Sequence, residues 1–335
     1  IPPYNEEAVL GATLTALNAD LRTRDRVVVV ADRCTDATAD IARASGAEVL
    51  ERPPGSEPGR AAARQAGLEY AQGLEWDAIV MIDADSIIEP GFFDACETAL
   101  AGGALALQAR SEAAVGDRVI DQAALAAATL QGVLIPRGRD RLGLCVRLRG
   151  TGMVLDRSLL TRFRFRAPAS EDLWYSLDLA LEGILPKHVE RARLRSVNVG
   201  SWKAAGEQRV RYEAGRMSAT REFVRPLLRR HDTASLEAAW FLLSPPFAVA
   251  AFLLVIALAA AFFAGAAVLG WIAVALFVLL CASLGLGLVE ARVSGRTWLA
   301  LVIAPWYLPW KAMVQLRAFG RVAKRSQHYG ATPRA

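Results

Sequence analysis

Leu10, Leu14, Leu17 and Leu21 recur at helical spacing behind Asn5-Glu6-Glu7. Those three residues supply a capping side chain and then two acids suited to the positive end of a helix dipole. The period then changes. Arg26 to Val30 is a β-branched run that reads as a buried parallel strand, and Asp32 to Asp36 is the loop after it. Thr38 to Ser45 reads as a helix closed by Gly46, and Glu48 to Glu51 as a short strand. The stretch from Pro53 to Gly59 is a loop by composition. Arg60 to Gln72 is a predicted helix, and Ala78 to Ile82 a predicted strand. Another strand is expected near Ala104–Ala109, an Ala-rich helix near Arg118–Gln131, and a strand around His188. Ser170-Glu171-Asp172 opens an amphipathic helix through Leu181. Strands alternating with helices indicate βαβ units, hence an α/β protein with a mostly parallel sheet.

The last third is patterned differently. Gly206 to Arg230 reads as a basic helix carrying Arg209, Arg211, Arg216, Arg221, Arg225, Arg229 and Arg230. It leads into residues 238–289, which hold no charged side chain. A spanning helix needs about 20 apolar residues. The run therefore holds two spans, with Gly265 and Gly270 bracketing the turn. Residues 298–316 are apolar but broken by Pro305 and Pro309, which favours a re-entrant or interfacial segment. Its Trp298, Trp306, Tyr307 and Trp310 read as an interfacial belt. The positive-inside rule then sets Arg292, Arg296 and the basic tail on the cytoplasmic side. The expected division is 1–205 catalytic, 206–236 basic and interfacial, 237–320 membrane, 321–335 tail. The chain opens at Ile1-Pro2-Pro3-Tyr4 as though inside a first strand, so a membrane segment is expected upstream.

Composition sharpens this picture. The 335 residues are 53% hydrophobic with a net charge of +5, and arginines flank the apolar run. That favours an anionic membrane surface over nucleic acid. Cys34, Cys96, Cys145 and Cys281 make no CxxC pair, which argues against a disulfide framework or a zinc site and suits a reducing compartment. Dinucleotide-binding and Walker glycine loops are missing from the sequence. His188, His231 and His328 form no set.

The chemistry concentrates at Asp83-Ala84-Asp85, where an apolar strand runs out. Carboxylates at the C-terminal end of such a strand face the usual ligand crevice of an α/β sheet. On a straight strand the two would point apart; if the chain turns, both reach one centre. Hard oxygen donors there suit Mg2+ or Mn2+, which would bring a diphosphate with it. Alone, an Asp-x-Asp fits a polar loop equally well. The order is more specific: Asp32 after a strand, Asp83 and Asp85 after a strand, Glu171-Asp172 at a helix start, then Gln208 to Tyr212 before an apolar run. In this order the chain resembles the inverting family 2 glycosyltransferases, in particular the membrane-embedded branch that includes cellulose, chitin and hyaluronan synthases. The resemblance covers nearly all of residues 1–230.

That resemblance implies a GT-A type, Rossmann-like nucleotide-diphospho-sugar transferase sheet followed by a helical transmembrane region. It implies that Pro2, Tyr4 and Glu6 border the nucleotide base and ribose, that Asp32 contacts the uracil ring, and that Arg60 nears the nucleotide. It makes Asp85 the metal ligand, with Asp83 on the ribose or a metal-bound water. Asp172, beside Glu171, becomes the general base. Gln208, Arg211 and Tyr212 would cradle the diphosphate and acceptor end, with Gly150 and Thr151 assigned alongside them. Ala31 stands where many relatives carry an acid, Arg60 where lysine is common, and Tyr212 where tryptophan is usual. The last departure weakens any case for processive polymer synthesis. Trp174 and Trp202 are candidates to border an acceptor groove. The expected activity is inverting transfer from a nucleotide sugar, a UDP-sugar by the resemblance, to a glycan or lipid acceptor at the cytoplasmic membrane. Membrane lipids and an export protein are the expected partners, and nucleic acid is not. A non-catalytic membrane scaffold of the same fold is the alternative. A nucleotidyltransferase would release pyrophosphate and leaves Gln208 to Tyr212 unexplained.

Overall fold

The computed structural model describes residues 1–114, 125, 126, 128–165, 170–197, 202–245, 247–290, 292–303, 313, 317, 318 and 320. Residues 1–3 run beside β1 (Val28–Asp32), whose Val30 and Asp32 amides donate to the carbonyls of Ile1 (2.7 Å) and Pro3 (3.0 Å). β1 pairs in parallel with β2 (Glu48–Arg52) through α2 (Thr38–Ala44). α1 (Glu7–Asp20) buries Leu10, Leu14 and Leu17 as its spacing predicts. Its start is built differently from the expectation. Asn5 does not cap it; with φ at 52°, its side-chain oxygen instead accepts the Thr35 amide at 2.8 Å. The Glu6 amide donates to Thr38 Oγ1 (2.9 Å) and the Glu7 amide to Asp36 Oδ2 (3.2 Å). In return Glu7 Oε2 accepts the Ala37 amide at 3.0 Å. The starts of α1 and α2 thus cap each other, a pairing between loops 30 residues apart that local propensity cannot express.

The main sheet has five strands: β3 (Ala78–Met81), β4 (Ser86–Ile88), β5 (Ala106–Ala114), β6 (Met153–Asp156) and β7 (Lys187–Val197), in spatial order β3-β6-β5-β7-β4. It is mixed, not mostly parallel. Among the described residues only β5 and β7 pair in parallel there; β3–β6, β5–β6 and β4–β7 are antiparallel. The apolar runs report burial on both faces but carry no direction, which the connections set. β4 leaves β3 through Asp83-Ala84-Asp85 with no helix between, so that step is no βαβ unit. Alternation along the strands loads both faces. Leu107 and Val154 pack with Leu10, Leu14, Phe92 and Cys96, against α1 and α4 (Phe92–Ala101). Ala106, Met153 and Leu155 pack with Leu68, Leu159, Tyr175 and Leu179, against α3 (Arg60–Ala71) and later helices.

A single π-type turn, Leu130–Leu134, enters α5 (Ile135–Arg141). There follow α6 (Arg157–Arg162), α7 (Glu171–Leu181), α8 (Trp202–Arg230) and α9 (Thr233–Leu243). α8 begins four residues before the predicted start and carries Pro226 inside it. The beginning of the uncharged run belongs to this helical layer: Ala238, Ala239 and Leu242 bury against Leu173 and Leu177 of α7 and Ala219, Phe223 and Leu227 of α8. α10 (Phe247–Phe263) and α11 (Ala267–Glu290) form a helical hairpin, and α12 (Gly295–Ile303) follows. Gly265, at φ 64°, makes the turn; Gly270 lies inside α11, close to Ala261 and Leu258. Among the described residues only α11 is long and apolar enough to cross a membrane by length and composition, so the expected pair of spans narrows to one such helix plus the 17-residue α10. The hairpin leaves Phe262, Phe263 and Trp271 at least 73% exposed. Most of the predicted Ala-rich helix, the Pro305–Pro309 segment with Trp306, Tyr307 and Trp310, and the tail from 321 lie outside the described residues.

Candidate functional site

The chain does turn after β3. The Ser86 amide donates to the Asp83 carbonyl at 3.1 Å, and the Ala84 carbonyl is pinned from beneath by Thr13 Oγ1 at 2.7 Å. The Asp83 amide donates to Thr151 Oγ1 (3.1 Å), and Thr151 Oγ1 in turn donates to Ser86 Oγ (2.9 Å). Thr151 therefore holds the acidic turn from the side.

Across this turn lies the start of α3. Gly59 has φ 121°, which only glycine adopts readily, and the helix begins with the next residue. Arg60 and Arg64 are four residues apart, so they share one helical face. Both point at Asp83. Arg60 Nη1 donates to Oδ2 at 3.2 Å, and Arg64 Nη2 to Oδ1 at 3.3 Å. Arg64 was not singled out by the sequence, yet it is the centre of the site. Its side chain is 2% exposed, and it also donates to Glu171 Oε1 at 2.7 Å and to the Gly150 carbonyl at 2.6 Å. The signal available was weak: an arginine four residues after Arg60 in an alanine-rich helix, which reads equally as a solvated face.

The Glu171-Asp172 pair opens α7. Ser170 ahead of it adopts φ 59°, and its hydroxyl donates to the Tyr212 carbonyl of α8 at 3.3 Å. Trp174 Nε1 donates to the Gly215 carbonyl at 3.4 Å and its ring meets Phe223 edge-on, so Trp174 braces α7 on α8. Glu171 is buried and committed to Arg64. Asp172 Oδ1 accepts the Leu173 amide at 2.8 Å. Burial, with the charge of Glu171, pushes the Asp172 carboxyl up to about 6, against the opposing pull of Arg64. Arg60 senses Asp83 most strongly, then Glu171, Asp172 and Asp85, and is held more firmly protonated by them.

Gly150 lies against these groups. At φ 74°, a Cβ there would lie 3.4 Å from both Arg64 Nη2 and Asp172 Oδ2. Its neighbour Gly152, at φ 69°, has Leu194 Cδ2 and Ala109 Cβ within 3 Å of where a Cβ would sit. At Gly152 there is no room for a side chain, whereas at Gly150 the positive φ is what favours glycine.

The structure thus gathers Arg60, Asp83, Asp85, Gly150, Thr151, Glu171, Asp172 and Tyr212. Tyr212 is 41% exposed and senses the charge of Asp172; Arg211 precedes it on α8. The side chains of Gln208 and Trp202 lie outside the described residues. Pro2, Tyr4, Glu6 and Asp32 form a second group around the β1 loop. Asp32 is buried and accepts from Arg52 Nη1 (2.5 Å) and Arg33 Nε (3.2 Å), and the Arg33 guanidinium lies over the Tyr4 ring. A cavity of about 350 Å³ opens beside this loop, lined by Cys34, Asp36, Arg43, Glu51 and Arg52 among others; the acids after β3 do not line it.

Among the described residues, no group of three or more His, Cys, Asp or Glu side chains is arranged to hold a metal by itself. The donor chemistry still fits Mg2+ or Mn2+. Such ions commonly take one or two carboxylates and complete their shell with water and phosphate oxygens, a share that Asp85, with Asp83 two residues before it, would supply.

A model of the family described as "Glycosyltransferase like family 2" matches residues 1–215. No curated protein is matched. Among solved structures the chain is similar to glucosyl-3-phosphoglycerate synthase from Mycobacterium tuberculosis. With Mn2+, UDP-glucose and phosphoglyceric acid bound, that structure has 22% identity over 68% of this chain and 77% of that one, at a TM-score of 0.46. With Mg2+ and UDP the values are 23%, 68%, 76% and 0.46.

Proposed function

With residues 1–215 matched, the chain belongs to the family 2-like glycosyltransferases and has their GT-A-like fold on a mixed sheet, and from this premise we propose that it transfers a sugar from a nucleotide-sugar donor, with UDP as the nucleotide, by inverting displacement at a site formed by Asp83, Asp85, Arg60 and Asp172. One observation supports the reading: the acidic turn after β3 and the Glu171-Asp172 helix start converge on Arg64, and burial with the charge of Glu171 pushes the Asp172 carboxyl up to about 6.

The roles follow from charge. A departing nucleoside diphosphate develops negative charge, and a divalent cation held by Asp85 would stabilise it as a Lewis acid. Arg60 supplies a guanidinium on the same side, suited to bidentate contact with phosphate oxygens. Asp172 takes the proton of the incoming hydroxyl. A carboxylate titrating near 6 is a stronger base than an ordinary aspartate and is still mostly ionised at neutral pH. Glu171, bound to Arg64, supports the base and does not compete with it. No second carboxylate is assigned as a covalent nucleophile, so direct displacement is the simpler scheme. Tyr212 offers an exposed aromatic face to an acceptor sugar.

Donor turnover tests this directly. Purified protein given a panel of nucleotide sugars with Mn2+ or Mg2+ should release nucleoside diphosphate from one of them. Release should vanish with chelator and fall at least about 10³-fold in Asp85→Ala, on the scale of removing a main stabiliser of transition-state charge. Turnover that survives Asp85→Ala removes that residue from the metal site. No release from any donor, with membrane lipid supplied as acceptor, favours a scaffolding role.

The membrane-embedded branch is part of the same proposal, with residues 1–205 as the catalytic unit on the cytoplasmic face, 206–236 against it, 237–320 in or at the bilayer and 321–335 as the tail. The contiguous exposed apolar side chains of α10 and α11 support it, since a patch of this kind needs a partner phase. An acceptor embedded in the bilayer, a lipid or a growing glycan with an export partner, suits a site beside such helices. Single cysteines at Leu279 and Trp271, spin-labelled in nanodiscs, should be far more accessible to oxygen than to a polar nickel reagent. Equal access to both would remove the hairpin from the bilayer.

A further inference from the structure

Both oxygens of Asp83 are occupied by guanidinium groups, but the two arginines are held very differently. Arg64 is 2% exposed and fixed by three acceptors on three separate elements. Arg60 is 47% exposed and reaches Asp83 Oδ2 at 3.2 Å. It sits at the first position of α3, where its positive charge opposes the helix dipole. It feels the charge of four carboxylates, Asp83 most strongly and then Glu171, Asp172 and Asp85, and Arg64 stands among them as a second cation. Arg60 therefore supplies positive charge to the acidic turn, and it does so from a half-exposed position.

Resting on the donor-site reading above, we propose that Arg60 is an exchangeable counter-ion: it neutralises the acidic turn in the donor-free protein and transfers to the donor diphosphate when nucleotide and divalent cation arrive together. The exchange balances in charge. Arg60 would give up its place beside the carboxylates to a cation held by Asp85 and would take diphosphate oxygens in their stead. No bond to carbon or hydrogen changes. The consequence is antagonism in one direction and synergy in the other. Arg60 repels a divalent cation that arrives alone, and it assists one that arrives with phosphate oxygens. Arg64, locked by Glu171 and Gly150, stays in place and keeps its own contact with Asp83 Oδ1.

The sign of one measurement separates this from a simple phosphate contact. Mn2+ binding to the purified full chain is followed by the electron paramagnetic resonance of the free ion, with and without UDP. Wild-type protein is expected to bind Mn2+ weakly alone and much more tightly with UDP. Arg60→Gln should bind Mn2+ alone about five-fold more tightly, as removal of a like charge several ångströms from the ion requires. The same variant should bind UDP in the presence of Mn2+ about ten-fold more weakly, as loss of a charge-assisted phosphate contact requires. Arg60→Lys, which keeps the charge, should resemble wild type for Mn2+ alone. Mn2+ affinity unchanged or weakened in Arg60→Gln overturns the exchange while leaving the donor site standing. Wild-type protein whose Mn2+ binding is indifferent to UDP, or Asp85→Asn that binds Mn2+ like wild type, overturns the donor site and this inference with it.

Discussion

Asp172→Asn is expected to reduce sugar transfer at least about 10³-fold, within the range for loss of a positioned general base, while donor binding and fold remain. The wild-type rate should rise with pH through about 6, the value to which burial and Glu171 raise the Asp172 carboxyl, and this acid limb should disappear from the residual activity of the variant. The same substitution should stabilise the protein. A carboxyl with a raised folded-state pKa favours folding while it is protonated and loses that contribution as pH climbs from the ordinary aspartate range through about 6. At neutral pH the ionised Asp172 is therefore a burden, and a neutral isostere relieves it. Asp172→Asn should melt above wild type at pH 7.5, and the gap should close near pH 4. A variant that is inactive and also less stable at pH 7.5 would mean that Asp172 is structural.

Arg64→Met is expected to be among the most destabilising single changes in the chain. It leaves Glu171 buried beside Asp172 without its cation, and breaking a buried pair by removing one partner typically costs about 3–5 kcal/mol. Removing both partners is a different matter, because no charge is stranded. Arg64→Met combined with Glu171→Gln should therefore recover most of the loss, a non-additivity expected of residues in direct contact. Thermal unfolding of the two single variants and the double variant measures this. Additive losses would show that the 2.7 Å contact contributes no coupling. Activity should not return with stability, since the double variant no longer ties Asp83 to the start of α7.

These two residues also show where the sequence was readable. Asp172 was legible because acids at a helix start, following acids at a strand end, form an ordered set that survives translation into space. The helices of α1, α2, α3 and α7 fall where apolar spacing and a terminal glycine or acid place them. Arg64 was illegible because its meaning lies wholly in groups that sequence separation hides: Asp83, Gly150 and Glu171 are brought to it by strands and a loop, not by periodicity. The sheet failed for a related reason. A run such as Ala78 to Ile82 reports that a strand is buried, whereas its antiparallel pairing with Met153 to Asp156 depends on a connection running through residues that announce no direction. Asn5 misled because its type suits a helix cap, and only the 35–38 loop lying opposite turns it to another use.

The mutual capping of α1 and α2 has a consequence for the energetics of the proposed donor site. Because Thr35 and Ala37 are held by Asn5 and Glu7, and the amides of Glu6 and Glu7 by Thr38 and Asp36, neither helix start can fray without uncapping the other. The two segments behave as one thermodynamic unit. Their conformational entropy is lost when the protein folds, so a nucleotide settling against them would meet a wall that is already ordered.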